Sequence, residues 1–192
     1  MELKFVTGNA NKFKVAKAIC IQHDINLEQI VIDLDEIQSE DPEQIINAKV
    51  KAAYEAIGEP VVVSDDSWHM PALNGFPGPY MKSINHWFTT QDFLNLMADK
   101  SDRTAIIIKL LAYYDGSTIT IFRKDTAGKL LKEPRGSSNT PIRNIFVGDA
   151  NPNTTLAEFD ALGQIDSPDR LNKEPEPWHD LAPWFKSTSQ QI

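Results

Sequence analysis

The sequence predicts an α/β protein: a long, twisted mixed sheet with helices at both ends. Two patterns point to the mixed sheet. Strand and helix patterns alternate over the first third of the chain, and a strong hairpin signal joins two long strand patterns in the middle. At 192 residues with 41% apolar content, the chain can build a sizeable core. It is read as one domain spanning 1–192.

Leu3 to Val6 reads as a short buried strand that stops at the turn signal Thr7-Gly8-Asn9. Asn11 to Ile21 has the apolar spacing of a helix, and Gln29 to Leu34 that of a second strand. Pro42 to Ile57 reads as a helix with an acidic first turn. Pro60 to Ser64 holds three consecutive valines, the pattern of a central strand. Leu73 to Tyr80, rich in Gly and Pro, reads as irregular, and Thr90 to Ala98 as a helix. Ala105 to Tyr114 and Thr118 to Lys124 form the hairpin around Asp115-Gly116. Lys129 to Lys132 and Ile145 to Val147 are expected as further short strands. The tail from Pro175 is expected to be irregular or a short helix packed on the body, with frayed last residues.

The formal net charge of -8 disfavours a nucleic-acid groove, which needs a basic excess to neutralise phosphates. It leaves room for a small anionic ligand held by a local basic cluster. Cys20 is the single cysteine, so no internal disulfide can form and a reducing, cytoplasmic setting is expected. No apolar run approaches the roughly 18 residues of a spanning helix, and Met1 to Phe5 does not read as a signal peptide, so no membrane partner is expected.

Two constellations carry chemistry. The first is the strand–loop–helix passage Thr7-Gly8-Asn9-Ala10-Asn11-Lys12. Here Gly8 would permit a tight turn and close ligand approach, the helix start would offer free N–H groups, and Lys12 would add a charge. The same residues also fit an ordinary strand–turn–helix joint. The second is acidic: Glu36 follows one strand, and Asp65-Asp66-Ser67 follows the valine strand. In open α/β sheets ligands sit beyond the carboxyl ends of strands, which would bring these acids beside the glycine loop. Their hard oxygens suit Mg²⁺, whereas acids that merely cap turns stay solvated. Two adjacent carboxylates are costly to bury without a cation.

In order and spacing these motifs resemble the inosine triphosphate pyrophosphatases. The matching strings are Phe5 to Lys12, Leu34 to Glu40, Asn47-Ala48-Lys49, Asp65-Asp66-Ser67, Ala72 to Lys82, Pro134-Arg135-Gly136 and Leu156 to Phe159. The resemblance implies a homodimer of elongated α/β subunits, each with two lobes around a central cleft. It also implies Mg²⁺-dependent hydrolysis of a nucleoside triphosphate, of the deaminated purine type, to monophosphate and pyrophosphate. Thr7, Gly8, Asn9, Lys12, Lys49 and Ser67 would contact substrate, and Lys12, Lys49 and Asp66 would be catalytic. Glu36, Asp65 and Asp66 would bind the metal.

The departures fall on base recognition. The family's stacking aromatic and its acid are replaced here by Ile142 and Arg143, its lysine by Gln164, and its Ser-His-Arg string reads Ser167-Pro168-Asp169-Arg170. Arg143 and Arg170 are carried forward as substrate contacts, while Trp68, His69, His86 and His179 are read as packing. Two functions remain open: an active pyrophosphatase of the deaminated-purine type or with shifted base preference, and a catalytically impaired nucleotide-binding protein of the same fold. A related pyrophosphatase class that acts on modified pyrimidines fits less well, because its first loop is serine-rich and basic.

Overall fold

A computed structural model describes residues 1–189. The expected fraying of the last residues falls on 190–192, outside the described residues. The protein is a mixed α/β fold with one seven-stranded sheet, strand order β2-β1-β3-β5-β6-β7, and a short β4 paired to β3. The strands are β1 (Glu2–Val6), β2 (Asn26–Ile30), β3 (Val61–His69), β4 (Pro77–Gly78), β5 (Thr104–Tyr114), β6 (Ile119–Leu130) and β7 (Phe146–Gly148). The helices are α1 (Ala10–Ile21), α2 (Pro42–Ile57), α3 (Met81–Trp87), α4 (Thr90–Leu96), α5 (Leu156–Ala161), α6 (Pro168–Leu171) and α7 (Trp178–Ser189).

The chain divides into two compact units. The first comprises Met1–Asp66, Lys109–Lys124 and the segment from Pro175 onward, and the second Ser67–Ile108 and Asp125–Glu174. In the first unit β1 pairs in parallel with both β2 and β3. The buried faces of α1 (Val15, Ala16, Ile19, Cys20) and α2 (Ile45, Ile46, Val50, Ala53) supply its core with Phe5 and Val61 to Val63. α7 closes this unit: Trp178 meets Phe5 edge-on at 4.9 Å, and Lys109 Nζ reaches Glu176 Oε1 at 2.6 Å. In the second unit Trp68, Phe93, Met97, Ile142 and Phe146 share one core, with Trp68 and Phe146 in edge contact at 4.9 Å.

α2 spans the expected residues because its ends are written in the chain. Asp41 accepts from the Glu43 N–H, Pro42 occupies the first turn, and Gly58 ends the helix at φ 75°. Three expectations need correction. β2 runs over Asn26–Ile30 rather than Gln29 to Leu34. The separate strands Thr118 to Lys124 and Lys129 to Lys132 are one strand, β6. β3 does not stop at Ser64 but runs to His69. The tail takes one of its two expected forms, a helix packed on the body: α7, twelve residues long and containing Pro183.

Candidate active site

The parallel register sets the level of the site. Val6 pairs with Ile30 on one side and with Val63 on the other. At that height the chain leaves β1 into the Thr7–Asn9 loop and β2 into the stretch after Ile30, whereas β3 runs on to His69. Ser64, Asp65 and Asp66 are thus strand residues just past the pairing with β1, which corrects the expectation that the two acids follow the strand. The carboxyl ends of β1 and β2 are the position where open α/β sheets bind ligands.

The loop is fixed by its own hydrogen bonds. Thr7 N–H donates to Ile30 O (3.0 Å), and Thr7 Oγ1 accepts from Asn9 N–H (3.1 Å). Asn9 Oδ1 accepts from the N–H groups of Asn11 (3.0 Å) and Lys12 (3.1 Å), capping α1. The expected row of free helix-start N–H groups is thus corrected: two of them are spent on Asn9. The Thr7 hydroxyl hydrogen and the Asn9 amide NH₂ are the side-chain donors the loop offers. Gly8 has no positive φ, so a strained turn is not what requires glycine here. A Cβ at Gly8 would meet nothing within 4 Å, so its bare backbone faces open space that a ligand can approach.

Lys12, on the first turn of α1, places Nζ 3.1 Å from Asp66 Oδ2. Lys49, midway along α2, places Nζ 2.6 Å from Glu36 Oε1 and donates to Ser64 O at 3.2 Å. Glu36 does not sit at a strand end; it lies six residues past Ile30 in an irregular segment, and Lys49 holds it. Asp65 feels all of these charges. Burial pushes its carboxyl pKa above the ordinary aspartate value, Asp66 and Glu36 push it the same way, and Lys12 and Lys49 oppose them. For Lys12, burial opposes the charge, but Asp66, Asp65 and Glu36 together hold its ammonium above the usual lysine value. The first unit therefore brings together five predicted residues: Lys12, Lys49, Glu36, Asp65 and Asp66.

Three predicted contacts belong to the second unit and are engaged there. Ser67 is buried, with Oγ 2.9 Å from His69 Nε2. Arg143 makes a two-pronged bond to Asp160, Nε to Oδ2 and Nη2 to Oδ1, both at 2.8 Å. Arg170 is buried, bonds Ile165 O and Glu174, and lies over the Phe159 ring at 5.6 Å. The Arg143–Asp160 pair spans 17 residues and leaves no periodic trace in the sequence, whereas Arg170 and Glu174 stand at the i,i+4 spacing that could have signalled theirs. Ile142 is fully buried, where the family's pattern has a stacking ring.

Among the described residues no group of three His, Cys, Asp or Glu side chains is gathered tightly enough to hold a metal by itself. That donor set fits a shared site rather than a protein cage. Mg²⁺ commonly takes one or two carboxylates and completes its shell with substrate oxygens and water. Asp65 and Asp66 are partly exposed, consecutive on β3 and close to Glu36, and they supply oxygens of that kind.

Known proteins resemble this chain in sequence and in fold. A dITP/XTP pyrophosphatase of Methanopyrus kandleri is 29% identical over 97% of both chains. An inosine triphosphate pyrophosphatase of Tuber melanosporum is 34% identical, over 82% of this chain and 84% of its own. In fold, a HAM1 protein from Coxiella burnetii superimposes with a TM-score of 0.75 at 22% identity, covering 97% of this chain and 99% of its own. The Ham1 family profile matches residues 3–164, and the chain belongs to the Ham1 family.

Proposed function

We propose that this chain is a nucleoside triphosphate pyrophosphatase. It hydrolyses a triphosphate of the deaminated purine type, as the names of its relatives indicate, to nucleoside monophosphate and pyrophosphate. The observation that carries the reading is the convergence of two ammonium groups and three carboxylates beside a bare glycine backbone, where β1 ends alongside β3.

Each group has a task in that chemistry. Thr7, Gly8 and Asn9 receive phosphate oxygens through the loop, and Lys12 and Lys49 neutralise the polyphosphate charge that grows on the departing pyrophosphate. One or two carboxylates drawn from Glu36, Asp65 and Asp66 would hold Mg²⁺ together with substrate oxygens and water, and the ion supplies charge neutralisation and a more acidic water when bound. Asp66 orients the attacking water and takes its proton as the water oxygen bonds to phosphorus and the α–β anhydride bond breaks. The electron pair of that bond leaves with pyrophosphate.

Arg143, Arg170 and Ile142 are committed to internal contacts, and this supports a base preference shifted from that of the relatives. A site that lacks hydrogen bonds to a base edge discriminates weakly. No described helix is long and apolar enough to cross a membrane. We place the enzyme in the cytoplasm and assign it a homodimeric state, on the single cysteine and the family resemblance. A panel of ordinary and deaminated nucleoside triphosphates with Mg²⁺, scored for pyrophosphate against inorganic phosphate, tests the activity. Pyrophosphate from at least one nucleotide is expected, and no turnover across the panel would leave the impaired-binder reading.

A further inference from the structure

Both lysines assigned to phosphate are bonded to carboxylates assigned to the cation: Lys12 to Asp66 at 3.1 Å and Lys49 to Glu36 at 2.6 Å. An ammonium held this closely in a partly buried pair is weakly screened by salt, and it must trade one anion for another before it meets a phosphate. A carboxylate likewise must release its lysine before it meets a cation. A ligand of either sign arriving alone therefore breaks pairs and strands the other partner uncompensated. Arriving together, the two swap partners, and neither the lysines nor the carboxylates are left without an opposite charge.

The geometry points to mutual masking: Glu36 and Asp66 act as internal substitutes for phosphate, so that the divalent cation and the triphosphate each raise the affinity for the other by freeing that other's ligands. The inference rests on the functional reading above and deepens it, because it states how the cation and the triphosphate are coupled in that same site. The site discriminates against metal-free nucleotide through its own carboxylates. By linkage, the coupling is reciprocal.

Calorimetric binding of α,β-methylene inosine triphosphate, which the proposed reaction cannot cleave, tests this with the full chain. For the wild-type protein, binding is expected to be at least about fivefold tighter in Mg²⁺ than in EDTA, within the usual range of allosteric coupling. Glu36→Gln frees Lys49, and is expected to tighten binding in EDTA by about fivefold or more while loosening it in Mg²⁺. In a Lys49→Met background the same Glu36→Gln change is expected to give no gain in EDTA, which separates unmasking from a general loss of negative charge. Asp66→Asn, alone and with Lys12→Met, repeats the cycle on the other pair.

The masking is overturned if Glu36→Gln weakens or does not alter binding in EDTA, if its gain persists without Lys49, or if no condition gives measurable binding. The two readings fail separately. Turnover without an unmasking gain removes only the masking, whereas an unmasking gain in a protein that releases no pyrophosphate removes only the activity.

Discussion

Lys12 Nζ lies 3.1 Å from Asp66 Oδ2, joining the first turn of α1 to the stretch of β3 just past its pairing with β1. Removing either member is expected to remove transition-state stabilisation. Lys12→Met should lower kcat/KM for pyrophosphate release by about 10²–10³-fold, the usual effect of losing one charge-stabilising donor. The pair also has a pH signature. Asp66, Asp65 and Glu36 outweigh burial and raise the Lys12 pKa above its ordinary 10.5. The stability this contributes is present below that ordinary value and is lost as pH rises through the folded value. A wild-type Tm profile should fall more steeply on its alkaline side than that of Lys12→Met.

Asp65 pulls the other way. Burial, reinforced by Asp66 and Glu36 and opposed by the two lysines, lifts its carboxyl above the ordinary value. In the folded chain Asp65 therefore keeps its proton to higher pH than in the unfolded chain. Its contribution is most favourable below about pH 3.9, the unfolded pKa, and is lost as pH rises through the folded value. At pH 7 and without metal, Asp65→Asn should raise Tm by a few degrees, since about 1 kcal/mol shifts a domain of this size by about 2–4 °C. The same variant should lose pyrophosphatase activity. Thermal scans of both proteins from pH 3 to 8 in EDTA check the sign, which a lower Tm at pH 7 would reverse.

Gly8 separates ligand approach from folding. Its φ is ordinary and a Cβ there would meet nothing within 4 Å. Gly8→Ala should leave stability within about 0.5 kcal/mol of wild type, as for a surface change that meets no neighbour. It should raise KM for the triphosphate by about tenfold if phosphate oxygens come against that backbone. Denaturant melts and steady-state kinetics on one preparation measure both.

Arg143 was read from the sequence as a substrate contact, yet both prongs of its guanidinium are spent on Asp160. Arg143→Ala is expected to cost about 2–3 kcal/mol of stability by leaving a largely buried carboxylate uncompensated, and the Arg143→Ala/Asp160→Ala pair should recover part of that. A KM near the wild-type value at a temperature where the variant is folded would accompany this structural role. A large rise in KM would restore the substrate-contact reading.

Cys20 is sealed in the core of the first unit, and burial pushes its thiol up to about 12. At pH 8 the native protein should not react with a disulfide reagent over a time in which the chain in guanidinium reacts fully, because the thiolate is the reactive species.

The chain disclosed what local chemistry alone can fix. α2 was legible to the residue because Asp41, Pro42 and Gly58 mark its two ends in side-chain and backbone preference. β2 was misread because Val31, Ile32 and Leu34 extend its apolar pattern, while its partner β1 ends at Val6, where the chain turns into the Thr7 loop. With no partner beyond Ile30, Val31 stands 69% exposed. The two expected strands, Thr118 to Lys124 and Lys129 to Lys132, leave out the stretch of β6 that ends at Gly128. There the missing side chain admits the Val147 carbonyl and the Phe146 ring, which a Cβ would meet at 2.2 and 2.6 Å. The lysines and acids of the site were legible because their ordered spacing carried the family resemblance. Their pairing with one another was not, since it depends on the level at which β1 and β2 end beside β3.

The most direct test compares pyrophosphate released from inosine triphosphate with Mg²⁺ by the wild-type chain, Lys49→Met and Asp66→Asn. The wild type should release one pyrophosphate per monophosphate with no inorganic phosphate, and each variant should lose at least about 10²-fold in rate. Equal rates in all three proteins, or inorganic phosphate as the first product, would contradict a triphosphate-cleaving site built on these five charged side chains.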